Sequence, residues 1–369
     1  MILMAVPFAF LLAGAGRPDE ASKYIDEKLG VTDVPPEADD LKATLAEVVG
    51  KMLSAGPLNP YYVSRGEGDP EYVFTNPADV VRALSAAIPH LPPALRTKAR
   101  DYLLKEIARH PPWTDAPLRP EQEAASRNFH PLPSPDPPGR TPIRPGLGNV
   151  YALWLYAENT GDWETLRSNY AGIRAFGERH AEEAGISFGA MGGLVGLARI
   201  ARKLGEGAAA ARAAADLEKA LSQADLARMT AESTKRAGHG EAWKVDHDFF
   251  YGGFHYVDLS PEIARAISDR PGLKRAVVEQ TARATLVFPH WFISQASGFM
   301  RYYGEGHAIT PLLSEMIFPV KAWVEDAPAA KLRMWADAED APVGDLYFIK
   351  RLAAAIEAHG KRRWVKVGY

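Results

Sequence analysis

Apolar residues recur along this chain at intervals of three and four, the spacing that places them on one face of a helix. Leu41, Leu45, Val48, Val49, Met52 and Leu53 form one such stripe after Pro35–Pro36. Asn76 caps a second helix with Pro77 in its first turn, and Val80, Val81, Leu84 and Ile88 follow at helical spacing. Pro89 to Pro93 interrupts it. Leu95, Ala99, Tyr102, Leu103 and Ile107 then line a returning partner, which makes an αα-hairpin.

The next hairpin carries the clearest punctuation. Tyr151, Leu153, Trp154 and Leu155 face a core, and Thr160-Gly161-Asp162 turns the chain. Glycine there supplies the positive φ of a helix C-terminus, and Asp162 caps the helix of Trp163, Leu166, Tyr170, Ile173 and Phe176. A third hairpin runs from about Ile186 to Leu204, crosses Gly205-Glu206-Gly207 and returns through an Ala-rich stretch to about Met229. Gly189, Gly192, Gly193 and Gly196 let its first helix approach a neighbour closely. Pro261–Ser268 pairs with Gly272–Val287 across Asp269-Arg270-Pro271. Trp291–Met300, Pro311–Val324, Ala327–Asp337 and Gly344–His359 complete the series.

Consecutive helical hairpins build either an open solenoid or a closed ring. The hairpin lengths vary, no fixed repeat of about 34 or 40 residues emerges, and polar terminal caps are absent. The pattern therefore predicts an all-α, single-domain (α/α)6 toroid, a barrel of consecutive antiparallel hairpins. Residues 1–16 read as an apolar N-terminal segment, either a leader or a first packed element; they lack the basic start of a signal peptide. Residues 17–369 form the toroid, with a long Pro-rich loop at about 111–145 inside it. The location follows that choice: extracytoplasmic with a leader, cytoplasmic without one.

Three short pieces resemble a known family. Tyr151–Tyr170, YALWLYAENTGDWETLRSNY, is similar to the helix–TGDW–helix hairpins of six-hairpin glycosidase-like proteins. Asn76-Pro77-Ala78-Asp79 and the helix after Gly344-Asp345-Leu346 are similar in style. The likeness carries no catalytic residue. It implies an (α/α)6 barrel with a cleft where helix N-termini and long loops meet, often acting on carbohydrate. The same barrel serves lyases and cyclases, so the chemistry must be argued from side chains.

Composition narrows that chemistry by exclusion. The chain has 369 residues, 47% of them hydrophobic, with a net charge of −3 and no cysteine. A cysteine nucleophile and a thiolate metal site are ruled out. The balanced charge gives no footprint for nucleic acid, and no apolar run is long enough for a membrane span.

The densest polar and aromatic stretch is His239–Asp258, HGEAWKVDHDFFYGGFHYVD. Carbohydrate clefts need aromatic faces for the apolar side of a sugar and carboxylates for proton transfer. Asp246 or Asp248 is the expected base, and Glu305 in Tyr302-Tyr303-Gly304-Glu305-Gly306-His307 the expected acid. Substrate-binding candidates are His130, Glu241, Trp243, His247, Tyr251, His255, Tyr256, Tyr302 and Tyr303. The plain alternative for each carboxylate is a helix cap or an ion pair at a helix end.

No His–carboxylate spacing supports zinc, so no metal is assigned, and no cofactor is expected. A calcium ion on Asp246, Asp248 and Asp258 is weighed but lacks a recognised loop. A dinucleotide site at Gly146-Leu147-Gly148 fails, with no preceding strand and no third glycine.

The expectation is a carbohydrate-active enzyme, a glycoside hydrolase first. One alternative is a polysaccharide lyase, with Tyr or His as base and Arg127, Arg140 or Arg144 on the uronate. The other is a non-catalytic toroid that binds glycan or protein.

Overall fold

The computed structural model describes residues 38–54, 62–63, 72–73, 78–114, 146–236, 258–287, 291–292, 309–336 and 346–359. These residues are mostly helical and all-α in character. The helices are α1 (Ala38–Ser54), α2 (Ala78–Ala87), α3 (Pro93–Arg109), α4 (Gly148–Thr160), α5 (Trp163–Arg179), α6 (Phe188–Lys203) and α7 (Gly207–Ser222). They continue as α8 (Leu226–Arg236), α9 (Pro261–Ser268), α10 (Pro271–Val287), α11 (Ile309–Trp323), α12 (Ala329–Ala336) and α13 (Leu346–His359). Two short antiparallel strands, β1 (Tyr62–Val63) and β2 (Tyr72–Val73), pair with each other between α1 and α2. No helix among the described residues is long and apolar enough to cross a membrane.

Local chemistry sets the helix ends. Gly161 closes α4 at φ 77°, a conformation that costs glycine nothing sterically. Asp162 then caps α5: its carboxylate accepts from the Thr165 amide at 3.1 Å and from the Tyr156 hydroxyl. Ser187 caps α6, and Ser260 caps α9 with Pro261 in the first turn. Asp225 accepts from the Arg228 amide at the start of α8. The Ala-rich return segment is therefore two helices, with the break at 223–225, where one helix running to Met229 was expected. Asp225 supplies the second start.

Six helices touch in succession. α2 packs on α4, α4 on α6, α6 on α9, α9 on α11, α11 on α13, and α13 on α2. Each has a companion helix packed on it. α3 lies on α2, α5 on α4, α7 on α6, α10 on α9 and α12 on α11, while α1 lies on α13. The directions of neighbours follow from their contacts. A Cβ on Gly193 would overlap the Leu147 carbonyl, and one on Gly196 would lie 2.6 Å from the Val150 carbonyl oxygen. The two sets of numbers rise together, so α4 and α6 run parallel. Arg82 lies beside the Asp258–Lys350 pair, and His90 Nε2 sits 3.0 Å from Glu357. α2 and α13 are therefore parallel as well.

The core lies along these six helices and against their companions. Leu84, Tyr156, Phe176, Phe188, Phe318 and Phe348 are among its largest fully buried side chains. Trp163 and Tyr170 of α5 are partly buried and pack against its edge.

Candidate functional site

Connections into the six successive helices differ from those out of them. Residues 55–77, 110–147, 237–260, 288–308 and 337–345 precede α2, α4, α9, α11 and α13. The chain leaves α2, α4, α9 and α11 through short turns at 88–92, 161–162, 269–270 and 324–328, and α6, entered through the shorter 180–187, through 204–206. Most compact connections are about 4–6 residues long, and longer ones concentrate function. The long segments all feed helix N-termini, and the charged side chains collect there too.

Asp79 and Arg82 occupy the first turns of α2. Lys350 sits in the second turn of α13, and Glu315 in the second turn of α11. Asp258 lies just before α9, in the left-handed region at φ 60°. Asp tolerates that conformation at a small cost. There its backbone carbonyl accepts from Arg82 Nη2 at 2.7 Å, and its Oδ1 is 3.1 Å from Arg82 Nε and 3.2 Å from Lys350 Nζ. Lys350 Nζ also donates to Glu315 Oε1 at 2.9 Å. One ammonium thus bridges two carboxyl groups.

The environment separates these carboxyls by proton affinity. For Asp258, burial works upward, but Lys350 and Arg82 overcome it and hold the group down at about 2. Burial pushes Glu315 up to about 6, against Lys350. It pushes Asp79 up to about 7, again against Lys350, with Asp258 and Glu315 adding to the rise. For Lys350, burial works downward, and Asp258, Glu315 and Asp79 together hold it above its ordinary value. Separation of this kind occurs in acid–base sites and in structural ion-pair networks alike.

A second buried network joins the first through Tyr151. The Arg82 guanidinium carbon lies 4.6 Å from the centre of the Tyr151 ring. The Tyr151 hydroxyl donates to Glu262 Oε2 at 2.9 Å, and Glu262 Oε1 takes Arg199 Nη1 at 2.6 Å. Arg199 in turn stacks over Trp154 at 4.2 Å. Burial, followed by Glu262, raises Tyr151 well above its ordinary value and keeps it a neutral donor. α2, α4, α6 and α9 are tied together by four side chains of low exposure.

Beside Glu315 and Lys350 opens a cleft holding about 620 Å³ of atom-free space, counted out to its mouth. Arg82, Tyr151, Phe318, Trp323 and Arg351 also line it.

The catalytic candidates Asp246, Asp248 and Glu305 lie outside the described residues. So do His130, Glu241, Trp243, His247, Tyr251, His255, Tyr256, Tyr302 and Tyr303, and the arginines Arg127, Arg140 and Arg144. All fall on segments that lead into α4, α9 or α11. Asp258 is described, and two cations occupy its Oδ1, which disfavours it as a calcium ligand. Among the described residues, no group of three or more His, Asp or Glu is arranged to hold a metal ion. Sequence reasoning missed Asp79, Arg82, Glu315 and Lys350 altogether. The available signal was a charge interrupting an apolar helical run, as Glu315 does in LLSEMIFPV and Lys350 in LYFIKRLAAAI.

No protein-family model matches the chain, and neither any curated protein nor any solved structure matches it.

Proposed function

We propose that the chain is an (α/α)6 toroid and a carbohydrate-active enzyme that hydrolyses glycosidic bonds at the N-terminal ends of its inner helices. The toroid reading is supported by the succession of contacts that returns from α13 to α2, with a companion helix packed on each of the six. The activity reading rests on one observation: the long connections feed the helix ends where a buried acid, Glu315, stands on the wall of a cleft with its proton affinity raised to about 6.

Glu315 and Asp258 do not form the catalytic pair by themselves. Lys350 Nζ fills the space between them at 2.9 and 3.2 Å. An inverting pair needs its two carboxyls about 6.5–9.5 Å apart, with water between. The reading therefore keeps Asp246 or Asp248 as base and Glu305 as acid, on segments entering the same ends. Lys350, Asp258 and Arg82 form a buried ionic cluster at those helix ends.

The test is a screen of wild-type protein on a polysaccharide panel, followed by Asp246→Asn, Asp248→Asn and Glu305→Gln on any substrate found. Loss of the acid or base is expected to lower the rate about 100-fold or more. Unchanged rates in all three variants would sink the assignment. Ultraviolet absorbance from a new conjugated double bond, one for each reducing end released, would replace it with the lyase.

A further inference from the structure

The seam between α2 and α13 is tied at both ends. At the helix N-termini the tie is the Arg82–Asp258–Lys350 bridge. At the far end, α2 runs into a single 3-10 turn, Ile88–His90, and Glu357 stands in the last turn of α13. His90 Nε2 lies 3.0 Å from Glu357 Oε1, with side-chain exposures of only 13% and 9%. Water is largely kept from the pair, so salt and solvent screen it poorly.

The contact is unfinished without a charge on the ring. His90 Nε2 is buried and makes no hydrogen bond among the described residues, with Glu357 or any other group. A neutral ring set against a carboxylate in this way gains almost nothing and leaves the buried carboxylate uncompensated. A ring that carries a proton gains an opposite charge at contact distance. Histidine is the side chain that ordinarily changes charge between pH 5 and 8, so this tie has two states.

The other charges near the turn are placed differently. It packs on α1, α2, α3 and α4. Arg96 of α3 donates to the Leu91 and Pro89 carbonyls, and Lys98 of α3 and Glu158 of α4 are exposed. At the start of α1, Asp40 pairs with Arg333, and Lys42 is half-buried. Arg82 of α2 is held by Asp258. About two turns back on α13, Lys350 holds Glu315, and Arg351 donates to the Phe292 carbonyl. Glu357 is the charge paired with the ring.

We infer that His90 is a pH-operated clasp: protonated, it holds the end of α2 to Glu357 at the end of α13, and deprotonated, it lets that end of the seam loosen. The stabilisation is present in acid and is lost as the pH rises through the histidine range. The clasp goes beyond the hydrolase reading and uses none of the residues that reading assigns to catalysis.

Amide hydrogen exchange on the full chain tests it. Wild type, His90→Gln, Glu357→Gln and the double variant are compared with one another at pH 5.5 and again at pH 8. At pH 5.5, His90→Gln should speed exchange at residues 84–87 and 353–357 by about five-fold or more. At pH 8 the same substitution should change those rates by less than about two-fold. In the Glu357→Gln background it should change them by less than about two-fold at both pH values, which a merely structural role for the ring would not produce. Asp79, Glu106 and Glu315 titrate over a similar interval, but all four proteins carry them, so their effects cancel at each pH. An acceleration that is absent at pH 5.5, equal at both pH values, or retained in the Glu357→Gln background would overturn the inference. No substrate enters the measurement, so a failed polysaccharide screen leaves the clasp standing.

Discussion

Glu106, on α3, is 4% exposed, and burial pushes its carboxyl up to about 7 while Arg109 opposes the rise. The folded state therefore holds this proton more tightly than the unfolded chain, where the ordinary value is 4.5. Below pH 4.5 the group is protonated in both states and costs nothing. As the pH climbs toward 7 the unfolded chain releases its proton first, and stability falls. Above 7 the whole loss is in place. Glu106→Gln is expected to stabilise the protein by about 2–3 kcal/mol at pH 8, with the gain vanishing near pH 4. Urea melts of both proteins across that range check it, and a gain that is constant with pH would refute the cause. Asp79 and Glu315, raised by burial to about 7 and about 6, pull wild-type stability the same way. Asp258, held at about 2, pulls the other way only in strong acid. Wild type should accordingly lose stability between pH 5 and 8, and Glu106→Gln should lose less.

At the scale of a helix pair, α4 and α6 depend on what α6 lacks. A Cβ on Gly193 would overlap the Leu147 carbonyl, and one on Gly196 would meet the Tyr151 Cα at 2.7 Å. Backbone cannot move aside as a side-chain tip can, so the helices must separate. Gly193→Ala should cost at least about 2 kcal/mol, the overpacking penalty outweighing the gain in helix propensity. Gly192→Ala is the control. Its nearest neighbour would be Ser260 Oγ at 3.4 Å, so a change within about 1 kcal/mol is expected. Thermal melts of the two variants decide it; equal effects would show that close approach is not the cause. These glycines were legible in the sequence because small residues spaced three and four apart share one helical face. Thr160-Gly161-Asp162 was legible because a left-handed turn and a cap are local chemistry. The Asp225 cap was hidden within a continuous Ala-rich pattern. The Arg82–Asp258–Glu315–Lys350 cluster was illegible for a different reason. Arg82 and Asp258 are 176 positions apart, and Lys350 and Asp258 are 92 apart. Only the packing of α2, α11 and α13 brings them together. The polar loops that drew attention in the sequence lie outside the described residues.

For the whole molecule the question is whether the ends of the chain hold each other. In an open stack, α13 would be a terminal helix with one inner neighbour, and its loss would be felt by α11 and α12 alone. Here α13 touches α11 and α12 on one side, and α2 and α1 on the other. Its buried face, with Phe348, Ile349, Leu352 and Ile356, is shared between the earliest and the latest described helices. Leu352 is fully buried, so Leu352→Ala should destabilise by about 2–5 kcal/mol. The distribution of that loss distinguishes the two architectures. In a ring, amides of α2 and α11 should lose hydrogen-exchange protection together, because opening the seam frees both neighbours at once. In a stack, protection in α2 would hold while α11 and α12 loosened. The Arg82–Asp258–Lys350 bridge spans the same seam, linking α2 to α13. A variant that opens the seam should therefore also disturb the ionic cluster, and proton uptake by Glu315 should change in step with the exchange rates of α2. Loss of protection confined to the C-terminal helices would remove the ring, and with it the physical reason for placing an active site at the N-terminal ends of the inner helices.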